Sequence, residues 1–226
     1  IILKRCVIFD FAFTLVEFHF DYFSAFSKIK ETYLKLGIPE NILEKFEGPN
    51  MFLMMNSVYD WMMEYLPKDK ADELQRRVSR ILEDFEMTGL RDAKLMPHCK
   101  VTLEKVKKLG LKIGVVSDNS KRFILAVLKK FSLLNYFDAI VGRDSPGRMK
   151  PYPDHLLLSL DLLECDSSKA VFVGDEGKDM ICAKEIGALG IGVLTGWNKK
   201  GLEESAHAEK LISNLSELPS ILKALE

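Results

Sequence analysis

Two glycine signatures are missing from this 226-residue sequence. It has neither the G-x-G-x-x-G turn of a dinucleotide-binding unit nor the G-x-x-x-x-G-K-S/T loop of a nucleoside triphosphatase, which argues against both ligand classes. No apolar run approaches the roughly eighteen residues needed to span a bilayer, and the N-terminus lacks the layout of a signal peptide. Net charge is almost absent. With 32 basic against 33 acidic residues, the formal charge of −1 gives no overall field that would draw nucleic acid or an anionic membrane, so neither is expected as a partner. Cysteine is scarce as well: Cys6, Cys99, Cys165 and Cys182 form no C-x-x-C pair and have no histidine at metal-ligand spacing. Zinc and a disulfide framework are therefore not expected. The four read as reduced, mostly buried thiols of a cytoplasmic protein. No fixed-period repeat or low-complexity segment occurs.

What remains is an ordinary globular composition, 47% apolar and 29% charged, long enough for one large domain or one domain carrying an insertion. The stretch Cys6-Val7-Ile8-Phe9-Asp10 is an apolar run that stops at a carboxylate. That is the pattern of a buried parallel strand whose C-terminal end opens onto a site. The grammar then becomes helical. Tyr22, Phe23, Phe26, Ile29, Tyr33 and Leu36 lie three and four apart and predict a helix over Asp21–Leu36, ended by Gly37 and Pro39. Further helices are predicted over Glu40–Phe46, Met51–Leu66 and Lys68–Met87. The stripe Met51, Met54, Met55, Tyr59, Met62 and Met63 is read as the inner face of this bundle, with a pliable binding surface as the alternative.

From about Leu90 strands and helices alternate. A helix is predicted from Pro97 to Leu109, a strand over Leu111–Ser117, a helix over Ser120–Phe131 and a short strand over Ala139–Gly142. After a loop through Lys150 come a helix over Pro153–Leu163, a strand over Ala170–Gly174, a helix over Lys178–Ile186, a strand over Gly190–Leu194 and a last helix near Leu218–Leu225. This order predicts an α/β fold, a doubly wound parallel sheet, with residues 1–16 and 90–226 as the core domain and 17–89 as an inserted all-helical domain.

In such a sheet the carboxyl ends of neighbouring strands face one crevice. Those ends carry Asp10, then Ser117-Asp118-Asn119, then Lys150, then Asp175-Glu176 and Asp179. Each has a duller reading: Ser117 as a helix cap, Lys150 as a solvated loop lysine, Asp175 and Asp179 as the acidic first turn of a helix. Together they suit phosphoryl chemistry on a metal. Asp10 and Asp175 are oxygen ligands of the kind Mg²⁺ takes, a carboxylate such as Asp10 can attack phosphorus, and Lys150, Ser117 and the Asp118 amide can stabilise phosphoryl charge.

The motifs resemble those of the haloacid dehalogenase-like hydrolases, most closely the phosphoglycolate-phosphatase type with a helical cap inserted after the first strand. That family's D-x-D-G-T motif is matched by Asp10, Thr14 and Leu15, and its strand ending in Ser or Thr by Val115-Val116-Ser117-Asp118-Asn119. Its Lys-Pro-x-Pro-Asp motif is Lys150 to Asp154, and its Gly-Asp-x-x-x-Asp motif is Gly174 to Asp179. The resemblance implies an aspartyl-phosphate on Asp10. It also implies Mg²⁺ held by Asp10, Asp175 and the main-chain carbonyl of Ala12, and phosphate held by Ser117, Asp118 and Lys150. Thr14 would orient Asp10, while Asp179 and Glu176 would support the site. The expected partner is a small phosphorylated metabolite, with the protein a monomer or a homodimer.

Two positions depart from the pattern. Ala12 stands where these phosphatases keep the Asp that protonates the leaving oxygen and activates water, and Phe13 stands where they keep Gly. Loss of a general acid/base costs about 10² to 10⁴ in rate. The expected function is therefore an impaired or specialised phosphatase. One alternative is a non-catalytic phosphoryl-ligand or partner-binding protein. Another is an enzyme like phosphonoacetaldehyde hydrolase, whose branch also has Ala here and forms an imine on a cap lysine. Candidates for that lysine are Lys28, Lys30, Lys35, Lys45, Lys68 and Lys70. If the opening turn keeps a left-handed backbone, Phe13 costs roughly 1–2 kcal/mol there; a changed turn would avoid that cost.

Overall fold

The computed structural model describes residues 4–46, 50–197, 199–203 and 207–225. The chain forms two compact units, one of residues 1–18 and 92–226 and the other of residues 19–91. In chain order the strands and helices begin with β1 (Cys6–Phe9), β2 (Val16–Glu17), α1 (Tyr22–Lys35), α2 (Glu40–Leu43), α3 (Met51–Tyr65) and α4 (Lys68–Thr88). They continue with β3 (Lys94–Leu95), α5 (Cys99–Lys108), β4 (Lys112–Val116), α6 (Lys121–Lys130), β5 (Ala139–Val141) and α7 (Asp154–Leu163). The chain closes with β6 (Ala170–Gly174), α8 (Gly177–Glu185), β7 (Leu189–Val193), α9 (Lys199–Glu203), β8 (Lys210–Ile212) and α10 (Leu218–Ala224).

In the first unit six described strands pair in parallel in the order β5-β4-β1-β6-β7-β8. The expected parallel α/β sheet is thus present. β1 is central because its residues can be buried on both faces: Cys6 and Ile8 join the core under α7 and α8, while Val7 and Phe9 face the other way, all four fully buried. The chain leaves β1 toward β4 and β5, then returns to the other side for β6, β7 and β8, so the strand order reverses at β1. Such a reversal opens a crevice at the carboxyl ends of the strands. Register aligns those ends, since Phe9 lies opposite Val115 on one side and Val173 on the other. Elements absent from the sequence expectation are short. The β2–β3 pair, β8 and α9 have two to five residues each, too few for a hydrophobic period to show. The helix expected to contain Pro97 starts later, at Cys99, after His98 in a left-handed conformation.

The second unit is helical. Its core comprises Ala25, Phe26, Ile29 and Tyr33 of α1, Met51, Met54, Met55, Val58 and Met62 of α3, and Ala71, Leu74, Val78 and Leu82 of α4. The methionine stripe is therefore mainly interior rather than a binding surface; Met63 is exposed, and half-buried Tyr59 donates its hydroxyl to Asp72 Oδ1 at 2.8 Å. Phe23, assigned from its spacing to the inner face, is exposed. It lies three residues from Phe26 but about 120° around the helix from Ile29, off the stripe.

One cysteine expectation is overturned. Cys6 and Cys165 form a disulfide, joining positions 159 residues apart with a Cα–Cα distance of 6.6 Å. The pairing arises because β1 sits beside β6, a neighbour relation that cysteine spacing does not encode. Cys99 and Cys182 are free, buried thiols, each pushed up to about 12 by burial. No described helix is long and apolar enough to cross a membrane.

Ile8→Ala is expected to destabilise the chain by about 2–5 kcal/mol in urea unfolding, because it opens a cavity in the central strand. A cost below 1 kcal/mol would contradict the central placement of β1.

Candidate functional site

Four strand ends converge in the first unit. Asp10 directly follows β1 and its amide donates to Val173 O of β6 at 2.8 Å, which fixes its carboxylate beside the end of β6. Lys150, nearly fully buried, donates through Nζ to Asp10 Oδ1 at 2.5 Å and to Asp179 Oδ1 at 2.7 Å. It is followed by a cis peptide bond to Pro151. Oxygens of Asp10, Asp175 and Asp179 lie within 4.8 Å of one another, all three residues buried, and no other such group occurs among the described residues.

Local folding explains this crowding. Asp179 is the third residue of α8 and shares a capping box with Glu176, the N-cap: its Oδ2 accepts from the Glu176 amide at 3.0 Å while Oδ1 remains for Lys150. Asp179 is thus at once an acidic first-turn residue of α8 and a partner of Lys150. Gly174 permits the approach, since a Cβ there would lie 2.4 Å from Asp179 Oδ2. Gly196, in the loop after β7, does the same for Asp175; a Cβ would lie 2.1 Å from its Oδ2. Thr14, expected to orient Asp10, instead donates its hydroxyl to Asp175 Oδ1 at 2.9 Å.

Ser117 is buried at the end of β4, donating to Asn119 Oδ1 and accepting from the Asn119 amide. It is not the cap of α6; Ser120 is, accepting from the Phe123 amide at 3.2 Å. The Asp118 carboxylate turns toward Lys150 and Lys178, accepting from the Lys150 amide at 3.3 Å and lying 3.0 Å from Lys178 Nζ. Its carbonyl accepts from Arg143 Nη1 at 2.7 Å. Sequence reasoning missed Lys178 and Arg143. Lys178 fills an unspecified position of the fourth motif, and nothing local marks Arg143. Glu176 pairs with Lys178 at 2.6 Å, and Asp154 braces the loop through Arg148 rather than entering the cluster.

The electrostatics follow from three acids against one central ammonium. Burial lowers the affinity of Lys150 for its proton, but Asp10, Asp179 and Asp118 more than offset this and hold it well above the ordinary lysine value. Burial pushes Asp175 well above the ordinary carboxylate value, helped by the charges of Asp10, Asp179 and Glu176. Burial likewise raises Asp179 to about 7 against the pull of Lys150. Asp118 stays below the usual range, because Lys178 and Lys150 outweigh its burial. The site thus holds more negative charge than it neutralises. All its ligand atoms are oxygens, which fits a hard divalent cation.

A family model for haloacid dehalogenase-like hydrolase matches residues 7–193. The chain belongs to this family. Among relatives of this haloacid dehalogenase-like hydrolase, a phosphoglycolate phosphatase of Aquifex aeolicus is 31% identical over 196 residues, covering 86% of this chain and 87% of the relative. A phosphoglycolate phosphatase of Photorhabdus laumondii is 24% identical, covering 96% of this chain and 92% of its own. A solved phosphatase of the same family from Thermococcus onnurineus superposes with a TM-score of 0.60 at 25% identity, covering 97% of this chain and 98% of that one. A hydrolase from Pseudomonas syringae shares the fold with a TM-score of 0.64 at 22% identity, covering 98% of this chain and 99% of its own.

The two departures of this haloacid dehalogenase-like chain sit inside the turn that closes from β1 to β2. Ala12 brings no titratable group. Phe13 is left-handed, with φ of 57°, so the turn has the strained backbone and not one that avoids the cost. Its amide donates to Val16 O at 2.8 Å, and its ring meets Trp197 edge-on at 5.5 Å. The imine-forming alternative needs a desolvated lysine in the helical unit. Lys28, Lys35, Lys45, Lys68 and Lys70 are exposed there and Lys30 is half-buried, so none offers one.

At position 13 the glycine variant is expected to be more stable than the alanine variant by about 1 kcal/mol in urea unfolding, reversing their usual order, because only glycine adopts this backbone without strain. Equal stability would mean the turn relaxes. Asp175 and Asp179 hold protons more tightly folded than unfolded. Their contribution to stability is thus present below the ordinary carboxylate value of 3.8 and is lost as pH rises toward about 7. Metal-free Asp175→Asn is therefore expected to melt about 2–4 °C above the parent at pH 8, the shift of roughly 1 kcal/mol in a chain of this size, and to lose that advantage at pH 4. A lower melting point at pH 8 would refute the excess charge.

Proposed function

We propose that this protein is a Mg²⁺-dependent phosphohydrolase that acts on a small phosphorylated metabolite through an aspartyl-phosphate on Asp10. The observation that carries this reading is the Asp10–Lys150 pair at a strand end, set in a buried cluster whose carboxylates outnumber its central ammonium. Asp10, Asp175 and the main-chain carbonyl of Ala12 would hold Mg²⁺, which when bound supplies positive charge for the phosphoryl oxygens. The Asp10 carboxylate attacks phosphorus. Lys150 neutralises the incoming phosphoryl group, and Asp179 fixes the ammonium at 2.7 Å. The Ser117 hydroxyl and the Asp118 amide receive the phosphoryl oxygens, while Thr14 sets the Asp175 carboxylate.

With Ala12 at the position of the acid, the opening motif supplies no group to protonate the leaving oxygen. Glu176, a conceivable substitute for the missing acid, is engaged by the Asp179 amide and by Lys178, which supports an enzyme slow toward poor leaving groups. Phosphate release from glycerol phosphate with Mg²⁺ is expected to be slow, absent in Asp10→Asn, and at least tenfold faster in Ala12→Asp. Turnover that survives Asp10→Asn would reject the aspartyl-phosphate. An unchanged rate in Ala12→Asp would reject the missing acid as the main defect.

A further inference from the structure

Phe13 and Trp197 reach the site from two separate segments, and each segment touches the carboxylate cluster. Phe13 lies in the turn between Asp10 and Thr14, whose hydroxyl binds Asp175. Trp197 follows Gly196, whose backbone is pressed against the Asp175 carboxylate. Their rings meet at 5.5 Å with planes 78° apart, an edge-on pair. Phe13 is only half-buried despite its left-handed backbone, and Trp197 is 77% exposed. A strained aromatic and a solvated indole thus stand in the two segments that touch the carboxylate cluster. Outliers of this kind are found where the side chain serves a site.

We infer that Phe13 and Trp197 form an aromatic wall for the leaving group, and that the substrate is an aryl phosphate, a planar ring bonded through oxygen to the phosphoryl group. The inference rests on the phosphatase reading of the same site. It also accounts for one of the two roles missing at Ala12, protonation of the leaving oxygen. As the Asp10 oxygen–phosphorus bond forms and the aryl oxygen–phosphorus bond breaks, the electron pair leaves on the aryl oxygen. A phenolic oxygen has a pKa near 10, against about 15.7 for water, so it departs without a proton where an alkoxide does not. Water then adds to phosphorus, the Asp10 oxygen–phosphorus bond breaks, inorganic phosphate leaves, and the proton from water ends on the aryloxide or in solvent. The indole face supplies stacking, and the Phe13 edge fixes the orientation of that face.

The test measures binding of phenylphosphonate and methylphosphonate by calorimetry with Mg²⁺, alongside turnover of acetyl phosphate, which has neither a ring nor a need for an acid. Phenylphosphonate is expected to bind at least tenfold tighter than methylphosphonate. Trp197→Ala is expected to reduce that ratio below threefold, Trp197→Tyr to keep most of it, and Phe13→Leu to reduce it partly, with melting curves confirming that each variant folds. Equal affinities, or a preference that survives Trp197→Ala, overturn the aromatic wall while acetyl phosphate turnover leaves the phosphatase reading standing. A ring preference without acetyl phosphate turnover supports the wall and rejects the phosphatase reading. Failure of both phosphonates to bind overturns both.

Discussion

Everything at this site depends on an unbalanced charge. Asp10, Asp175 and Asp179 are buried within reach of one another, and Lys150 is the ammonium that bonds to two of them. Burial and neighbouring carboxylates raise the proton affinity of Asp175 and Asp179, and one lysine does not cancel three carboxylates. The fold tolerates the crowding because rigid parts impose it: β1 and β6 are paired in register, α8 caps itself with Asp179, and Gly174 and Gly196 leave no side chain in the way. Such an arrangement lowers stability while the carboxylates are ionised. It is the usual exchange of stability for function.

Much of this was legible in the sequence because parallel strands are written as apolar runs. Cys6–Phe9, Lys112–Val116 and Ala170–Gly174 stand out, and each is followed by a polar residue that the register then brings together. The strand-end rule needs no distances, so it found Asp10, Ser117, Lys150, Asp175 and Asp179. What it could not find was direction. Thr14 serves Asp175 rather than Asp10, and Asp118 turns its carboxylate to lysines, choices set by side-chain rotation and not by position. Elements of two or three residues such as β2, β3 and β8 carry no period, and the Cys6–Cys165 bond follows from strand order alone. Phe23 shows the opposite failure: a spacing of three from Phe26 looked helical and inward, but the stripe had turned past it.

The departures in the opening turn carry most of the interest. The backbone at Phe13 has the left-handed geometry that glycine adopts without strain. Ala12 and Phe13 together place two apolar groups where the family motif has a carboxylate and a glycine, in the turn between Asp10 and Thr14. Ala12 carries no titratable group, and the Phe13 ring meets Trp197 edge-on.

The most direct test of the charge imbalance is calorimetric titration of Mg²⁺ into the metal-free protein at pH 8 and at pH 5. The account requires one Mg²⁺ per chain at pH 8, bound more weakly at pH 5 where protons occupy Asp175 and Asp179, and lost in Asp175→Asn. Absence of binding at pH 8, or binding that Asp175→Asn retains, would contradict it.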